Sequence, residues 1–247
     1  MQSILLAAGQ GTRLRPFTDH QPKCMVPYQD KPIIDHILET QRACGVQDIV
    51  LVKGYCSEAL HREGTIHCEN KAYATTNMVT TLFSAEEFIK GDVIISYTDI
   101  IYRQEILTAL LACDEDIAIT VDLDWQKLWE ERMDNPLEDA ETLELGPDGA
   151  VLSLGKKPES YSQVEGQYMG LIKLTGKGSE ILKSHYNSLD RGNLYDGKDF
   201  ENMYMTSLLQ SLIDAGHRVQ SVPVRGGWLE IDCPGDMAIE LSPYKEA

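Results

Sequence analysis

Residues 6–16 read Leu6-Ala7-Ala8-Gly9-Gln10-Gly11-Thr12-Arg13-Leu14-Arg15-Pro16. Glycines let backbone N–H groups approach an anion, and Arg13, Arg15 and, beyond the loop, Lys23 add positive charge. Together these are the means of holding a triphosphate. Spacing excludes two other phosphate loops: there is no G-x-x-x-x-G-K-[ST] run, and Leu14 stands where a dinucleotide fingerprint needs its third glycine. Two later stretches carry acids. Asp99 follows an apolar run in VIISYTDIIY, near a strand's carboxyl end, and Glu230 and Asp232 follow Gly226-Gly227-Trp228 in GGWLEIDCPGD, sharing one face if extended. Transfer from a triphosphate requires charge neutralised at the reacting phosphorus, usually by magnesium on one or two carboxylates. Asp99, Glu230 and Asp232 are the candidate ligands. Lys156 and Lys157, in LSLGKKPES, follow a strand-like segment, and as a bare pair they also suit a solvated turn.

Elements must bring these stretches together. The apolar run 3–8 reads as a buried strand, and Gly9, Gly11, Pro16 and Pro22 then impose a long loop. Ile33, Ile34, Ile37 and Leu38 recur at helical spacing over 32–44, with Pro32 at a permitted first-turn site and Gly45 past the end. A strand over 48–52 closes a β-loop-α-β unit whose strands should be parallel. Further alternation follows: helix 78–88, strand 93–96, helix 103–112, strand 117–121, strands 150–154 and 168–174, helices 178–189 and 200–215, strand 219–222 and a helical segment 234–240. This periodicity predicts an α/β fold with a doubly wound, mostly parallel sheet. Residues 124–147, charged and broken by Asn135-Pro136, read as an excursion holding one helical turn around 125–132. With no repeat, low-complexity tract or linker, residues 1–247 read as a single domain.

Composition narrows the partners. At 43% hydrophobic, 247 residues suffice for one core or two small ones. A formal charge of -17 repels long polyanions, which argues against nucleic acid. The opening MQSILLAAGQG has no basic segment and too short an apolar stretch for a secretion signal, and no later run reaches membrane-spanning length, so a soluble cytoplasmic protein with no membrane partner is expected. Cys24, Cys44, Cys56, Cys68, Cys113 and Cys233 never form C-x-x-C, which argues for reduced thiols over zinc or disulfides. Cys24 lies in the loop but reads as a small buried hydrophobe rather than a nucleophile.

The stretch 6–25, LAAGQGTRLRPFTDHQPKCM, resembles the signature loop of the sugar-phosphate nucleotidyltransferase superfamily, and 31–55, KPIIDHILETQRACGVQDIVLVKGY, continues the resemblance. It implies a Rossmann-like nucleotidyltransferase fold, with Arg13 and Lys23 on the nucleotide phosphates and the backbone at Ala7 and Ala8 helping to hold the base. The implied nucleotide-binding set is Leu6, Ala7, Ala8, Gly9, Gly11, Thr12, Arg13, Lys23, Tyr55, Asn77 and Thr98. In that superfamily an Asp after the corresponding strand and an acid in a late W-x-[DE]-I segment bind the metal. Those positions match Asp99 and either Glu230, which the tryptophan alignment favours, or Asp232, preferred here. Lys157, before Pro158, matches the lysine of an E-K-P element that contacts the acceptor phosphate, with Lys156 beside it.

Residues 73–82 lack the Q-x-G-T-A element of glucose-1-phosphate enzymes and resemble the N-x-x-[ST]-L stretch of the phosphocholine cytidylyltransferase-like branch, as W-L-E-I-D does. That branch uses CTP. Asn77 is suited both to reading a pyrimidine edge and to capping the helix that begins at Met78. NPLEDAETL, GKKPES and EGQYMGL are similar to the cytidylyltransferases of capsule phosphoramidate synthesis, which act on L-glutamine phosphate. Glu141, Lys157, Glu165 and Gln167 would suit such a zwitterionic acceptor. Trp125, Trp129 and Tyr168 are candidates for an aromatic cage or for ordinary packing. The resemblance thus implies Mg2+-dependent transfer of CMP from CTP to a small phosphorylated substrate, with Arg13, Lys23 and Lys157 catalytic, no covalent intermediate, and a homo-oligomer left open. Acceptor choice is expected to reside in 124–147. Two readings compete: a sugar 1-phosphate enzyme using UTP, dTTP or GTP, and a non-catalytic nucleotide-binding regulatory subunit, which predicts a decayed loop where this chain keeps Arg13, Lys23 and Asp99.

Overall fold

Strand β1 (Gln2–Ala7) is buried from Ser3 to Ala7, and its two faces divide the core. Leu5 and Ala7 pack on one side with the Ile33, Ile34, Ile37 and Leu38 stripe of helix α1 (Ile33–Ala43), while Ile4 and Leu6 pack on the other with Val79 and Leu82 of α2 (Met78–Phe83). A strand covered on both faces needs no polar alternation, which is why it reads as a continuous apolar run.

The computed structural model describes residues 1–246. The remaining strands are β2 (Pro27–Tyr28), β3 (Lys31–Pro32), β4 (Asp48–Lys53), β5 (Thr65–Glu69), β6 (Val93–Tyr97), β7 (Ile100–Tyr102), β8 (Ile117–Asp122), β9 (Leu143–Leu145), β10 (Val151–Leu154), β11 (Gln167–Leu174), β12 (Gln220–Arg225), β13 (Trp228–Glu230) and β14 (Lys245–Glu246). The remaining α-helices are α3 (Gln104–Ala112), α4 (Trp125–Arg132), α5 (Gly176–Ser188) and α6 (Met205–Asp214). The main sheet has the order β14-β12-β8-β11-β6-β1-β4-β5. Its β1, β4, β5, β6, β8 and β12 run one way, and β11 and β14 run against them. The protein is an α/β, Rossmann-like fold with a mainly parallel sheet. From β1 the chain moves outward through β4 to β5, then returns to β6 on the other side of β1. The crevice between β1 and β6 is therefore a topological switch point, where open α/β sheets bind ligands at the strands' carboxyl ends.

Several expected elements change on folding. The helix expected over 78–88 ends at Phe83, where the Ser84 hydroxyl donates to the Thr80 carbonyl, and a separate 3-10 turn follows at Glu86–Phe88. The helix expected over 200–215 is split: Asp199 caps a 3-10 turn at Phe200–Asn202, and α6 begins at Met205. The segment 234–240 forms a 3-10 helix, Pro234–Ala238. Pro32 precedes α1 in an extended conformation instead of forming its first turn, and Gly45, at φ 85°, ends it. Strand β5 (TIHCE) alternates over only two apolar residues, Ile66 and Cys68, too few to announce a strand, and lies at the sheet edge. The 124–147 excursion is more ordered than the one helical turn expected of it: α4 runs eight residues and buries Trp125 and Trp129, and β9 pairs with β10.

Two short elements matter most for the site. Strand β13 pairs antiparallel with β7, joining Trp228 to Tyr102 and Glu230 to Ile100. The ladder extends past its end, where the Ile231 N–H donates to the Asp99 carbonyl at 2.8 Å. Strand β11 is irregular between Tyr168 and Ile172, and Gly170 sits there at φ 89° with the Tyr97 ring against it. A Cβ at Gly170 would lie 2.6 Å from Tyr97 Cδ2. Gly170→Ala is expected to destabilise the fold by about 2–3 kcal/mol, lowering Tm by ~5–10 °C in a calorimetric scan.

Candidate active site

Past β1 the chain turns through Gly11, whose φ of 62° is left-handed and whose missing Cβ would lie 2.8 Å from Lys23 Cβ. A 3-10 turn at Thr12–Leu14 then buries Leu14 in the core and leaves the Arg13 side chain 66% exposed. The loop is braced at several points. The Thr18 hydroxyl donates to the Gly11 carbonyl at 2.8 Å, the Tyr55 N–H to Ala8 at 3.1 Å, the Tyr55 hydroxyl to Asp19 at 2.8 Å and the Thr98 hydroxyl to Leu6 at 2.9 Å. Tyr55 and Thr98 thus tie the loop to β4 and β6.

Lys23, Asp99 and Asp232 meet at the centre. Lys23 Nζ donates to Asp99 Oδ2 at 2.9 Å and to Asp232 Oδ1 at 2.6 Å, and the Arg13 guanidinium pairs with the other Asp232 oxygen. Burial alone would lower the Lys23 ammonium's pKa, but Asp99 and Asp232 outweigh it and hold the group above its ordinary value. Glu230 does not join them. Although only two residues from Asp232, it closes a separate ion pair with Arg132 at 2.7 Å.

Two cavities adjoin this centre. The first, of about 140 Å3, is lined by Leu6, Ala7, Ala8, Gly9, Lys23, Asn77, Thr98 and Asp99 from the sequence set, and also by Tyr73 and Tyr97. Asn77 accepts from the Met78 N–H at 2.8 Å, so it caps α2 and faces the cavity at once. Cys24 lines this cavity too, but burial pushes its thiol up to about 12, which removes it as a nucleophile at neutral pH. The second cavity, of about 270 Å3, is lined by Arg13, Asp139, Glu141, Gln167 and Glu230, with Trp129 and Tyr168 among its aromatic walls. Gln167 bonds both backbone groups of Glu141 and so fixes that residue's place.

Three residues expected around the acceptor lie elsewhere. Lys156 and Glu165 line a different surface depression, where the Glu165 carboxylate caps the Leu145 N–H at 2.7 Å. Lys157 donates to the Glu138 carbonyl, beside the second cavity but outside its lining. Strand-end placement does not aim the two lysines inward, because the Gly155–Lys156 backbone after β10 pairs with Thr142 beside β9. Conversely, Arg132, Asp139 and Asp236 were not singled out by sequence. Trp125, Trp129 and Arg132 fall at i, i+4 and i+7 on α4, a helical stripe that marks a buried face.

Burial sets two further protonation states. Glu141 is pushed up to about 7 by desolvation, reinforced by Asp139 and Asp196. Glu230 is also pushed up to about 7: burial dominates, Arg132 and Lys23 oppose it, and Asp99 and Asp232 add to it. Around the centre, Lys23, Arg13 and Arg132 face five carboxylates, Asp99, Asp139, Glu230, Asp232 and Asp236. Excess negative charge in a buried site favours a further cation. Asp99 Oδ1 is buried with no hydrogen-bond partner, which leaves a free ligand atom. Among the described residues no cluster of three or more acids, histidines or cysteines could hold a metal alone. A pair of carboxylates completed by phosphate oxygens and water is how magnesium is commonly held, so Asp99 and Asp232 fit that ion.

The family described as a MobA-like NTP transferase domain matches residues 3–142. Across 98% of the chain and 99% of the relative, the sequence is 43% identical to CTP:phosphoglutamine cytidylyltransferase of Campylobacter jejuni. It is 30% identical to the bifunctional protein GlmU of Methanococcus maripaludis over 96% of the chain, which spans 53% of that relative's length. CTP:phosphocholine cytidylyltransferase from Streptococcus pneumoniae shares the fold, with a TM-score of 0.71 over 95% of each chain at 22% identity. Among the described residues no helix is long and apolar enough to cross a membrane.

Because Glu141 binds its proton more tightly folded than unfolded, the stability it contributes is complete below its ordinary value of 4.5 and is lost as pH rises through about 7. Glu141→Gln should therefore raise Tm at pH 8.5 by roughly 3–6 °C and leave it nearly unchanged at pH 4. Thermal melts at both pH values check this, and an equal shift at each would contradict the buried-carboxyl assignment.

Proposed function

The chain belongs to the MobA-like NTP transferase family and is a nucleotidyltransferase, and from that premise we propose that it joins CMP from CTP to a small phosphorylated amino acid, L-glutamine phosphate, with release of pyrophosphate. The observation that carries this reading is the position of Lys23, Asp99 and Asp232 between two cavities, one walled by the glycine loop and the other by acids and aromatic rings. The relatedness to CTP:phosphoglutamine cytidylyltransferase over nearly the whole of both chains supports the choice of nucleotide and acceptor.

CTP takes the first cavity, its base against Ala7, Ala8 and Asn77 and its phosphates toward Lys23 and Arg13. The acceptor takes the second, its ammonium among Asp139, Glu141 and Glu230 and its phosphate toward Arg13. An acceptor phosphate oxygen attacks the α-phosphorus of CTP, the bond from that phosphorus to the β-phosphate's bridging oxygen breaks, and pyrophosphate leaves with the electron pair. A terminal phosphoryl group has its second pKa near ~6, so the attacking oxygen is already ionised and needs no general base. Positioning and charge stabilisation carry the catalysis. Lys23 and Arg13 stabilise the charge that grows on pyrophosphate. Asp99 and Asp232 would hold Mg2+, which would supply neutralisation of the phosphates and a fixed orientation for the triphosphate. Arg13 takes the acceptor-phosphate role more directly than Lys157, which would have to leave the Glu138 carbonyl. On this reading the protein works in the cytoplasm on small molecules, with neither nucleic acid nor membrane as partner, as a single domain and with a homo-oligomer left open.

Pyrophosphate release measured for CTP, UTP, dTTP and GTP against L-glutamine phosphate, phosphocholine and glucose 1-phosphate tests the assignment. Turnover should be greatest with CTP and L-glutamine phosphate, by roughly 100-fold or more over phosphocholine, which lacks the carbonyl oxygens and the N–H donors a polar cavity can bond. Preference for UTP or dTTP with glucose 1-phosphate would replace the reading with a sugar-phosphate enzyme, and no release from any pair would leave a binding protein.

A further inference from the structure

Arg132 bonds an acid of the second cavity and, through Asp236, reaches the backbone of Asp232, without lining either cavity. Its side chain is 3% exposed and its guanidinium lies 5.0 Å from the centre of the Trp129 ring. One terminal nitrogen donates to Glu230 at 2.7 Å and stands 4.0 Å from Asp139, and both carboxylates line the second cavity. Nε donates to Asp236 Oδ1 at 3.1 Å, and the other terminal nitrogen makes a longer bond, 3.5 Å, to Asp236 Oδ2. The other oxygen of Asp236, a fully buried residue, accepts the backbone N–H of Asp232 at 2.7 Å and of Cys233 at 2.9 Å. A continuous chain of charged hydrogen bonds therefore runs from the acids of the second cavity, through one guanidinium and one carboxylate, to the backbone that carries Asp232.

The planar fork of arginine fixes the directions of these bonds, so a change at one end is felt at the other. In the structure Glu230 leans on Arg132. An ammonium entering the second cavity competes for Glu230 and Asp139, which frees the guanidinium to bond Asp236 more fully and stiffens the turn at Asp232. We propose that Arg132 is a positioning residue that couples acceptor binding to the metal-holding geometry of Asp232, so that acceptor and magnesium-bound CTP each tighten the other's binding. This rests on the reading of Asp99 and Asp232 as the magnesium pair and of the second cavity as the acceptor site. The coupling is reciprocal, since it is one free energy shared by two sites.

Calorimetric titration with α,β-methylene CTP at limiting Mg2+, with and without L-glutamine phosphate, reads this coupling without turnover. For the unaltered protein the acceptor should tighten analogue binding roughly tenfold. Arg132→Lys keeps the charge but loses the fork, and should reduce the effect to within about twofold while acceptor-free affinity at saturating Mg2+ changes by less than about threefold. Asp236→Asn, which keeps the side-chain shape, should lose the coupling likewise and provides the reading if the Arg132 variant does not fold. Full coupling in a folded Arg132→Lys or Asp236→Asn variant, or none in the unaltered protein, overturns the proposal. Asp232→Asn separates it from its premise: retention of Mg2+-dependent analogue binding there would defeat the metal assignment itself, whatever the Arg132 variant does.

Discussion

Everything at this site depends on the three-residue ladder between β7 and β13 and on the charge it concentrates. The ladder puts Asp99 and Asp232 against the same ammonium although they are far apart in the chain, and the Ile231 to Asp99 backbone bond fixes their separation. Two carboxylates held close in a partly buried place repel each other, and the fold tolerates this because Lys23 and Arg13 lie between and beside them. Removing one member of such a buried set typically costs about 3–5 kcal/mol, because its partners are left uncompensated. The loop that delivers Lys23 is accordingly braced by hydroxyls at Thr18, Tyr55 and Thr98. The same charge that makes the site awkward to fold is, on the proposed reading, what would draw a cation and, through it, a triphosphate.

The second constraint is geometric. The switch point between β1 and β6 opens the crevice, and the 124–147 segment closes one end of it with Trp129, Asp139 and Glu141. A segment with ten charged residues among its 24 is packed here because α4 turns its two tryptophans and one arginine inward together. The break between Phe200–Asn202 and α6 has a related effect, since it carries Tyr204 and Met205 to the same cavity wall.

Local features of the site were legible in the sequence, and pairings between distant segments were not. The loop over 6–25, α1 and β4 follow from glycine and proline placement and from apolar period, all of which act within a few residues. Asp99 was recognisable as the residue after a buried strand. The preference for Asp232 over Glu230 as its companion agrees with the structure's grouping around Lys23, but i and i+2 positions could not say which acid turns toward the lysine. The ladder decides it by ending at Glu230 and sending that side chain to Arg132. Lys156 lies away from the second cavity for a similar reason: a strand end fixes where a residue lies, while the turn geometry beyond it fixes where the side chain points.

The central claim is that Asp99 and Asp232, with Lys23 beside them, form one cation and triphosphate site. Crystals soaked with Mn2+ and α,β-methylene CTP test it most directly through the anomalous signal of the metal. A peak bonded to one oxygen of Asp99 and one of Asp232, with the triphosphate running toward Lys23 and Arg13, is the expected result. A peak on Glu230 without Asp232, or a nucleotide bound away from Lys23, would contradict it.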